Sequence, residues 1–166
     1  MRINKILSLK EYCNPCKAKC CKVSDKIGFS IISEEEKQEI TEYYTKKYYK
    51  NPACFEKKNF GNEHYYVIKY TEKRLCYFLD DKNKCMIQKV KPLDCAIYPI
   101  KAVYGKKDIK LVIDPCCPAS KELSQEFIEK AIEQSIASIK RFKPEVYNNW
   151  LEKHIGWVKK SKRLKK

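Results

Sequence analysis

The stretch LCYFLDDKNKCMIQKVKPLDCAIYP, residues 75–99, alternates short apolar runs with turn residues and contains three cysteines. Apolar runs of this length between turns are typical of strands, so we expect strands at Leu75–Leu79 and Met86–Val90, with a turn at 80–83. Loop thiols can converge from strand ends and turns, and three cysteines occupy such positions: Cys76, Cys85 and Cys95. The stretch therefore predicts a small antiparallel sheet whose loops carry thiols.

The same alternation of apolar runs and turns continues on both sides of this stretch. We expect further strands at His64–Tyr70, Ile100–Tyr104 and Ile109–Ile113, the last two joined by a turn around Gly105. Helical patterns flank these strands. Ser33 followed by three glutamates is a capping box, and it predicts a helix from Glu34 to about Tyr49 that is stopped by Asn51-Pro52.

Two more helices are predicted near the C-terminus. We expect Ser120 to cap a helix with one apolar face, formed by Leu123, Phe127, Ala131, Ile132, Ile136 and Ile139. The last helix is predicted to start at Pro144 and to turn four side chains inward: Tyr147, Trp150, Leu151 and Ile155. Together these patterns predict an α+β fold, a single small domain with a short antiparallel sheet, flanking helices and loops organised around cysteine metal sites.

Four further cysteines lie near the N-terminus, at Cys13, Cys16, Cys20 and Cys21. A C-x-x-C pair suits metal binding because one tight turn aims both sulfurs at a shared point, and nearby lysines favour the thiolate form that ligates. Adjacent side chains of an extended backbone point to opposite faces. We therefore expect Cys20 and Cys21 to serve two sites, or one cluster large enough to be approached from two directions.

The remaining cysteines differ in their surroundings. Cys116 and Cys117 follow a predicted strand, and Cys117 precedes Pro118, as a ligating cysteine does in bacterial ferredoxins. Cys54 has no companion nearby, so we interpret it as a spare or buried thiol rather than a ligand.

Length and composition limit the possible classes of protein. The chain has 166 residues, ten cysteines and a formal net charge of +15. One domain accounts for that length, and the apolar content excludes a disordered, collagen-like or membrane-spanning chain. We place the domain at 1–158, with C-terminal helices at 120–158, and expect the tail at 159–166, with six positive charges, to fray.

The compartment decides how the cysteines are interpreted. No apolar run is long enough for a membrane span, and the first residues lack the apolar core of a secretory signal, so we expect a cytoplasmic protein. Cytosolic thiols stay reduced, which favours metal ligation over structural disulfides or free thiols.

Several spaced motifs resemble one family. Five motifs are similar, in their order along the chain, to those of the cysteine-cluster family described as zinc- or iron-chelating proteins. They are C-x-x-C-x-x-x-C-C at 13–21, Leu75–Leu79, Cys85–Gln88, Lys91–Pro99 and Cys117-Pro118. The resemblance covers roughly residues 12–120. It implies eight metal ligands: Cys13, Cys16, Cys20, Cys21, Cys76, Cys85, Cys95 and Cys117. Three positions depart from the family pattern without removing a thiol: Gln88, Lys91 and Ala96.

The resemblance leaves the metal open between an iron-sulfur cluster and zinc. A related cysteine-rich region occurs in flagellin lysine N-methylases, which are iron-sulfur proteins, and the adjacent cysteines and the Cys-Pro pair tilt our expectation to iron-sulfur. Radical S-adenosylmethionine enzymes have the reverse cysteine spacing. The chain has only two histidines, His64 and His154, and no nucleophile elbow or phosphate loop.

We therefore expect a non-enzymatic metal-binding protein that acts in metal handling, electron transfer or as a scaffold, with a protein redox partner as one possibility and no membrane partner. Two alternatives stay open. The basic charge and twelve tyrosines are also typical of a nucleic-acid-binding zinc protein. A redox or methyl-transfer enzyme subunit is the other, and it would need an open metal position.

Overall fold

The structure is a computed structural model that describes residues 16–22, 29–105, 108–154 and 162–163. It has the α+β architecture that the sequence predicts, in a small single domain. The strands are β1 (Ile31–Ile32), β2 (Phe55–Phe60), β3 (Glu63–Ile68), β4 (Ile100–Tyr104), β5 (Ile109–Ile113) and β6 (Lys162–Arg163). The helices are α1 (Glu34–Tyr48), α2 (Leu93–Ala96), α3 (Gln125–Ile139) and α4 (Pro144–His154), with short 3-10 helices at Lys19–Cys21 and Pro118–Lys121.

The strands form two antiparallel three-stranded sheets rather than the single sheet that we expected. The first has the order β1-β3-β2, and the second has the order β4-β5-β6. Two strands of the first sheet were not predicted. β1 has only two residues, and β2, which reads FEKKNF, is too polar to stand out as an apolar run.

Two of the predicted strands are wrong. Leu75–Leu79 and Met86–Val90 form tight turns, with no ladder beyond isolated bridges such as Leu79↔Cys85. The reason is visible in the packing, because Phe78 and Ile87 are both about 1% exposed and anchor their turns in a cluster with α1. Apolar residues here serve as single anchors, so their side chains do not alternate across a sheet.

The helix predictions are mostly confirmed. Ser33 and Glu36 form the expected capping box at the start of α1. The cap of α3 is Ser124 rather than Ser120, because Pro118–Lys121 forms a separate 3-10 turn and the Ser124 hydroxyl accepts from the Phe127 N–H at 3.2 Å. α4 starts at Pro144 as predicted and buries Val146, Tyr147 and Trp150. Leu151 is half-buried, and Ile155 lies outside the described residues.

Buried side chains form three clusters that connect the layers. The largest joins both sheets to α4, with Val67, Ala102 and Trp150 among its members. A second packs α1 against the first sheet and the turns at 75–90, and the third packs α2 against α3. The cysteine-bearing loops are thus held by the core on two sides.

Two findings concern the surface of the domain. Lys162 and Arg163, in the tail that we expected to fray, pair with Ile113 and Val112 of β5. In the part of the chain that the structure describes, no helix is both long and apolar enough to cross a membrane.

Candidate metal centre

The N-terminal cysteines lie beside the Cys76 turn. The backbone N–H of Cys76 donates to the Cys21 carbonyl at 2.8 Å, and Lys22 bridges to Leu75 in the antiparallel sense. These two contacts lay residues 20–22 alongside residues 75–76. A segment more than fifty residues earlier in the sequence is therefore in direct contact with the first of the central cysteines.

The Cys76 and Cys85 turns are joined to each other. Leu79 bridges to Cys85, and the Met86 N–H donates to the Phe78 carbonyl at 2.8 Å. Burial raises the pKa of Cys76 to about 12, and the neighbouring Cys85 and Cys20 thiols also raise it. Both central thiols thus share one neighbourhood with the N-terminal segment.

Cys95 approaches the same neighbourhood from α2. Its sulfur lies 2.8 Å from the Ser30 hydroxyl oxygen. Burial raises the pKa of the Cys95 thiol, followed by the Asp94 carboxylate and by the thiols of Cys76 and Cys85. Cys95 is therefore close enough to both central cysteines to interact with them electrostatically.

Glu36 fixes the start of the helix that carries Cys95. Its carboxylate accepts from the Leu93 N–H at 2.7 Å, although Glu36 belongs to α1. The same carboxylate lies 3.3 Å from the Arg141 guanidinium. One buried side chain thus ties α1, α2 and the end of α3 together at the edge of the cysteine neighbourhood.

Cys20 and Cys21 do not have the geometry that we predicted. They lie in the 3-10 helix Lys19–Cys21 rather than in extended backbone, so their side chains are not forced to opposite faces. A hydrogen bond with the Cys21 thiol is the main cause that raises the pKa of Cys20, ahead of burial. Our local argument for two separate sites, which assumed extended backbone, therefore does not apply.

Cys117 joins the group from the second sheet. Burial raises the pKa of Cys117 to about 11, and the thiols of Cys20 and Cys16 add to the effect. Its neighbour Cys116 is exposed. The Asp114 carboxylate orders this turn, because it accepts from the Cys116 N–H at 2.8 Å and from the Tyr98 hydroxyl at 2.6 Å.

Tyr70 lies among four of the predicted ligands. Burial is the main cause that raises the pKa of its phenol, and four thiols raise it further: Cys76, Cys95, Cys21 and Cys20. The pKa of this one side chain is thus affected by cysteines from three separate segments. Tyr70 also bridges to Cys76 through its backbone, and no sequence motif indicated its proximity to these thiols.

Seven of the eight predicted ligands are therefore linked pairwise by backbone contacts or by electrostatic influence, and Cys13 lies outside the described residues. Cys54 does not belong to the predicted set and is fully buried in the apolar cluster under α1, where burial raises its pKa to about 12. It is the buried thiol that we expected. His64 lies beside Glu34, and His154 packs against Phe29, whose ring in turn packs against Tyr70.

The donor set fits a thiolate-bound metal in its chemistry. Sulfur-only donors suit zinc or an iron-sulfur cluster. Burial and the other thiols raise the pKa of Cys20 and of Cys85, and the positive charge of Lys91 partly opposes that rise. Across the described residues, no three cysteine, histidine or acidic side chains stand in ready ligating geometry. Binding would therefore require the thiols to lose protons and draw together.

Three residues of this region were missed as site residues by the sequence reasoning. Glu36 was interpreted only as part of a capping box, Tyr98 only as part of a motif, and Asp114 only as a strand end. Their roles depend on partners between 16 and 57 positions away, as in the Tyr98–Asp114 and Glu36–Leu93 contacts. Comparison of the chain with protein-family models, curated proteins and solved structures gave no match, so the family resemblance stays a prediction.

Proposed function

We propose that this protein binds a metal centre through cysteine thiolates and that its role is non-enzymatic. One observation carries the proposal. Cysteines that the family resemblance indicates as ligands, from four segments spread over about a hundred residues, are joined by backbone contacts or lie within electrostatic reach of one another. Cys54, judged to be a spare thiol, is fully buried in an apolar cluster against which Cys76 and Cys85 also pack, and it lies apart from Cys20, Cys95 and Cys117 in the sequence pattern only.

The accessibility of the thiols favours a centre near the surface. Cys20, Cys21 and Cys117 are each half-buried, so a metal bound there would lie close to solvent. Such a position suits exchange of electrons or of metal with another protein more than a purely structural role in the core. We therefore propose metal handling or electron transfer, with an iron-sulfur cluster as the first candidate and zinc as the alternative.

Anaerobic purification followed by iron, zinc and acid-labile sulfide analysis tests the proposal directly. An iron-sulfur centre predicts bound iron, bound sulfide and visible charge-transfer absorption, whereas zinc predicts a colourless protein with zinc in stoichiometric amount. A folded protein that contains neither metal would refute the proposal.

A matched pair of variants tests which thiols are involved. Cys95→Ser is expected to lose most of the metal, because it removes a thiol that faces Cys76 and Cys85. Cys54→Ser changes another buried cysteine in the same way but should keep the metal. Single changes at Cys20 and Cys21 then separate one site from two, since loss of all metal from either change indicates a single centre.

A further inference from the structure

Charge is segregated between two parts of the molecule. Thirteen lysine or arginine residues and only three acidic residues lie in the segments 16–22, 46–50 and 69–91. We call these three segments the basic loop face. The residues of 29–105 and 108–154 that lie outside this face include eleven basic and sixteen acidic ones. The net charge of the face is therefore +10, against −5 for the rest of these ranges. The basic character of the protein is thus not confined to its C-terminal tail.

Hydrogen bonds join the three segments into one surface. The Cys76 N–H donates to the Cys21 carbonyl, which places residues 16–22 beside the central turns. The Tyr48 hydroxyl donates to the Met86 carbonyl at 3.4 Å, which places the end of α1 against the same turns. Burial raises the pKa of Tyr77, and the charge of Lys50 partly opposes that rise, in agreement with this proximity.

Among the described residues, no lysine or arginine of this face forms an ion pair with a carboxylate, although Lys47 lies over the rings of Tyr43 and Tyr48. Every ion pair between described residues lies outside it, as in Lys37–Glu34, Lys130–Glu126 and Lys143–Glu63. Bound metal would not cancel the charge either. A zinc ion with four thiolates has a formal charge of −2, so even two such centres leave the face positive. Unpaired charge of this density attracts an anionic partner.

An exposed aromatic ring lies at the edge of the face. Tyr49 is 91% exposed, and among the described residues it is the one large hydrophobic side chain that is exposed. It follows the last turn of α1, between Lys46, Lys47 and Lys50, all of which are exposed. A ring with a free face, surrounded by lysines, is the combination on which unpaired bases stack while their phosphates meet positive charge.

We propose that the basic loop face binds single-stranded nucleic acid, with lysines on the phosphates and one base stacked on Tyr49. A single strand fits better than a duplex, because base faces are not free to stack on a side chain within a duplex. An acidic protein surface would satisfy the lysines but would leave the exposed ring without a role. The proposal does not depend on metal binding, since lysine and tyrosine side chains supply the contacts.

Fluorescence anisotropy with a labelled oligouridylate of about twelve nucleotides and the purified full chain tests the proposal. Binding is expected to saturate and to weaken steeply as salt is raised. A polyglutamate peptide of equal charge, used as competitor, separates nucleic acid from an acidic protein. Equal competition by the peptide, or the absence of saturable binding, would overturn the proposal.

Tyr49 offers a variant that does not endanger the fold. Its φ is 55°, in the left-handed region that favours glycine, so Tyr49→Gly removes the ring while relieving backbone strain. We expect Tyr49→Gly to weaken binding roughly tenfold, and Tyr49→Phe to bind like the parent because it keeps the ring. Unchanged binding by Tyr49→Gly would contradict the stacking role.

The lysines are tested with a matched triple variant. Changing Lys46, Lys50 and Lys82 to alanine removes three charges from the face and should reduce the slope of log affinity against log salt by about two. The same change at Lys121, Lys140 and Lys153, which are exposed outside the face, should leave the slope almost unchanged. Equal slopes for both variants would overturn the proposal. Metal content is measured on every variant, so failure here is distinguishable from failure of the metal proposal.

Discussion

Replacement of Glu36 tests how the helical layer holds the cysteine-bearing loops. Glu36 is 3% exposed, and its carboxylate accepts from the Leu93 N–H at 2.7 Å and from the Ser33 N–H at 3.2 Å. It also lies 3.3 Å from Arg141. Glu36→Ala therefore removes three interactions at once from a site where water has little access.

The magnitude follows from what each partner loses. A buried N–H left without an acceptor costs about 1–3 kcal/mol, and Leu93 would be left in that state. Loss of half of the capping box costs roughly 0.5–1 kcal/mol more. The Arg141 side chain is 27% exposed, so water replaces much of its ion pair and this contribution is small. We expect a total loss of about 3 kcal/mol in the free energy of unfolding.

Thermal and urea unfolding of three variants measure this effect. For a chain of this size, about 3 kcal/mol corresponds to a fall in Tm of roughly 6–12 °C for Glu36→Ala. Glu36→Gln keeps an oxygen for the Leu93 N–H and should lose only about 1 kcal/mol. Glu42→Ala removes an exposed glutamate from the same helix and should cost less than about 0.5 kcal/mol.

The comparison among these variants can refute the reasoning. If Glu36→Ala were no less stable than Glu42→Ala, the carboxylate would not be holding the start of α2. Because Leu93 begins the helix that carries Cys95, Glu36→Ala is also expected to lower the metal content, and Glu36→Gln to lower it less.

Three further predictions concern other buried groups and the metal. Lys101→Met leaves the Asp94 carboxylate buried without its partner and should lower the free energy of unfolding by about 3–5 kcal/mol. The double variant with Asp94→Leu should recover most of that loss, as measured by urea unfolding. A double variant less stable than both single variants would contradict this. Tyr98→Phe should cost about 1–2 kcal/mol, more than Tyr104→Phe, because the Tyr98 hydroxyl bonds a buried carboxylate at 2.6 Å and the Tyr104 hydroxyl a carbonyl at 3.2 Å; Tm values of both variants check the order. Complete removal of metal with a chelator should lower the Tm, since binding to the folded state alone stabilises it; an unchanged Tm after confirmed removal would count against a centre that organises the loops.

Local patterns predicted much of the secondary structure. The Ser33–Glu36 capping box places the start of α1, and the run at Ile109–Ile113 is confirmed as β5. These features depend on neighbours within a few positions, so the sequence alone predicts them. The turns at 75–90 are different, because the apolar run around Phe78 has the composition of a strand but forms only isolated bridges, and its buried side chain anchors a turn.

The cysteine site shows the same division. Spacing separated Cys54 from the predicted ligands, and the structure buries Cys54 in an apolar cluster. Spacing did not predict that Cys20 and Cys21 lie in a 3-10 helix rather than in extended backbone.

By itself, the sequence determined the cap of α1, the start of α4, three of the six described strands and the identity of the thiols, because each of these depends on residue type and short-range spacing. Only the tertiary structure decided that Cys20, Cys21, Cys76 and Cys95 lie near Tyr70 and Cys117 near Asp114, and that lysines from three segments form one positive face beside Tyr49. The physical reason is that these relationships join residues tens of positions apart. Burial of anchors such as Phe78 and Ile87 in the core sets which loops come into contact.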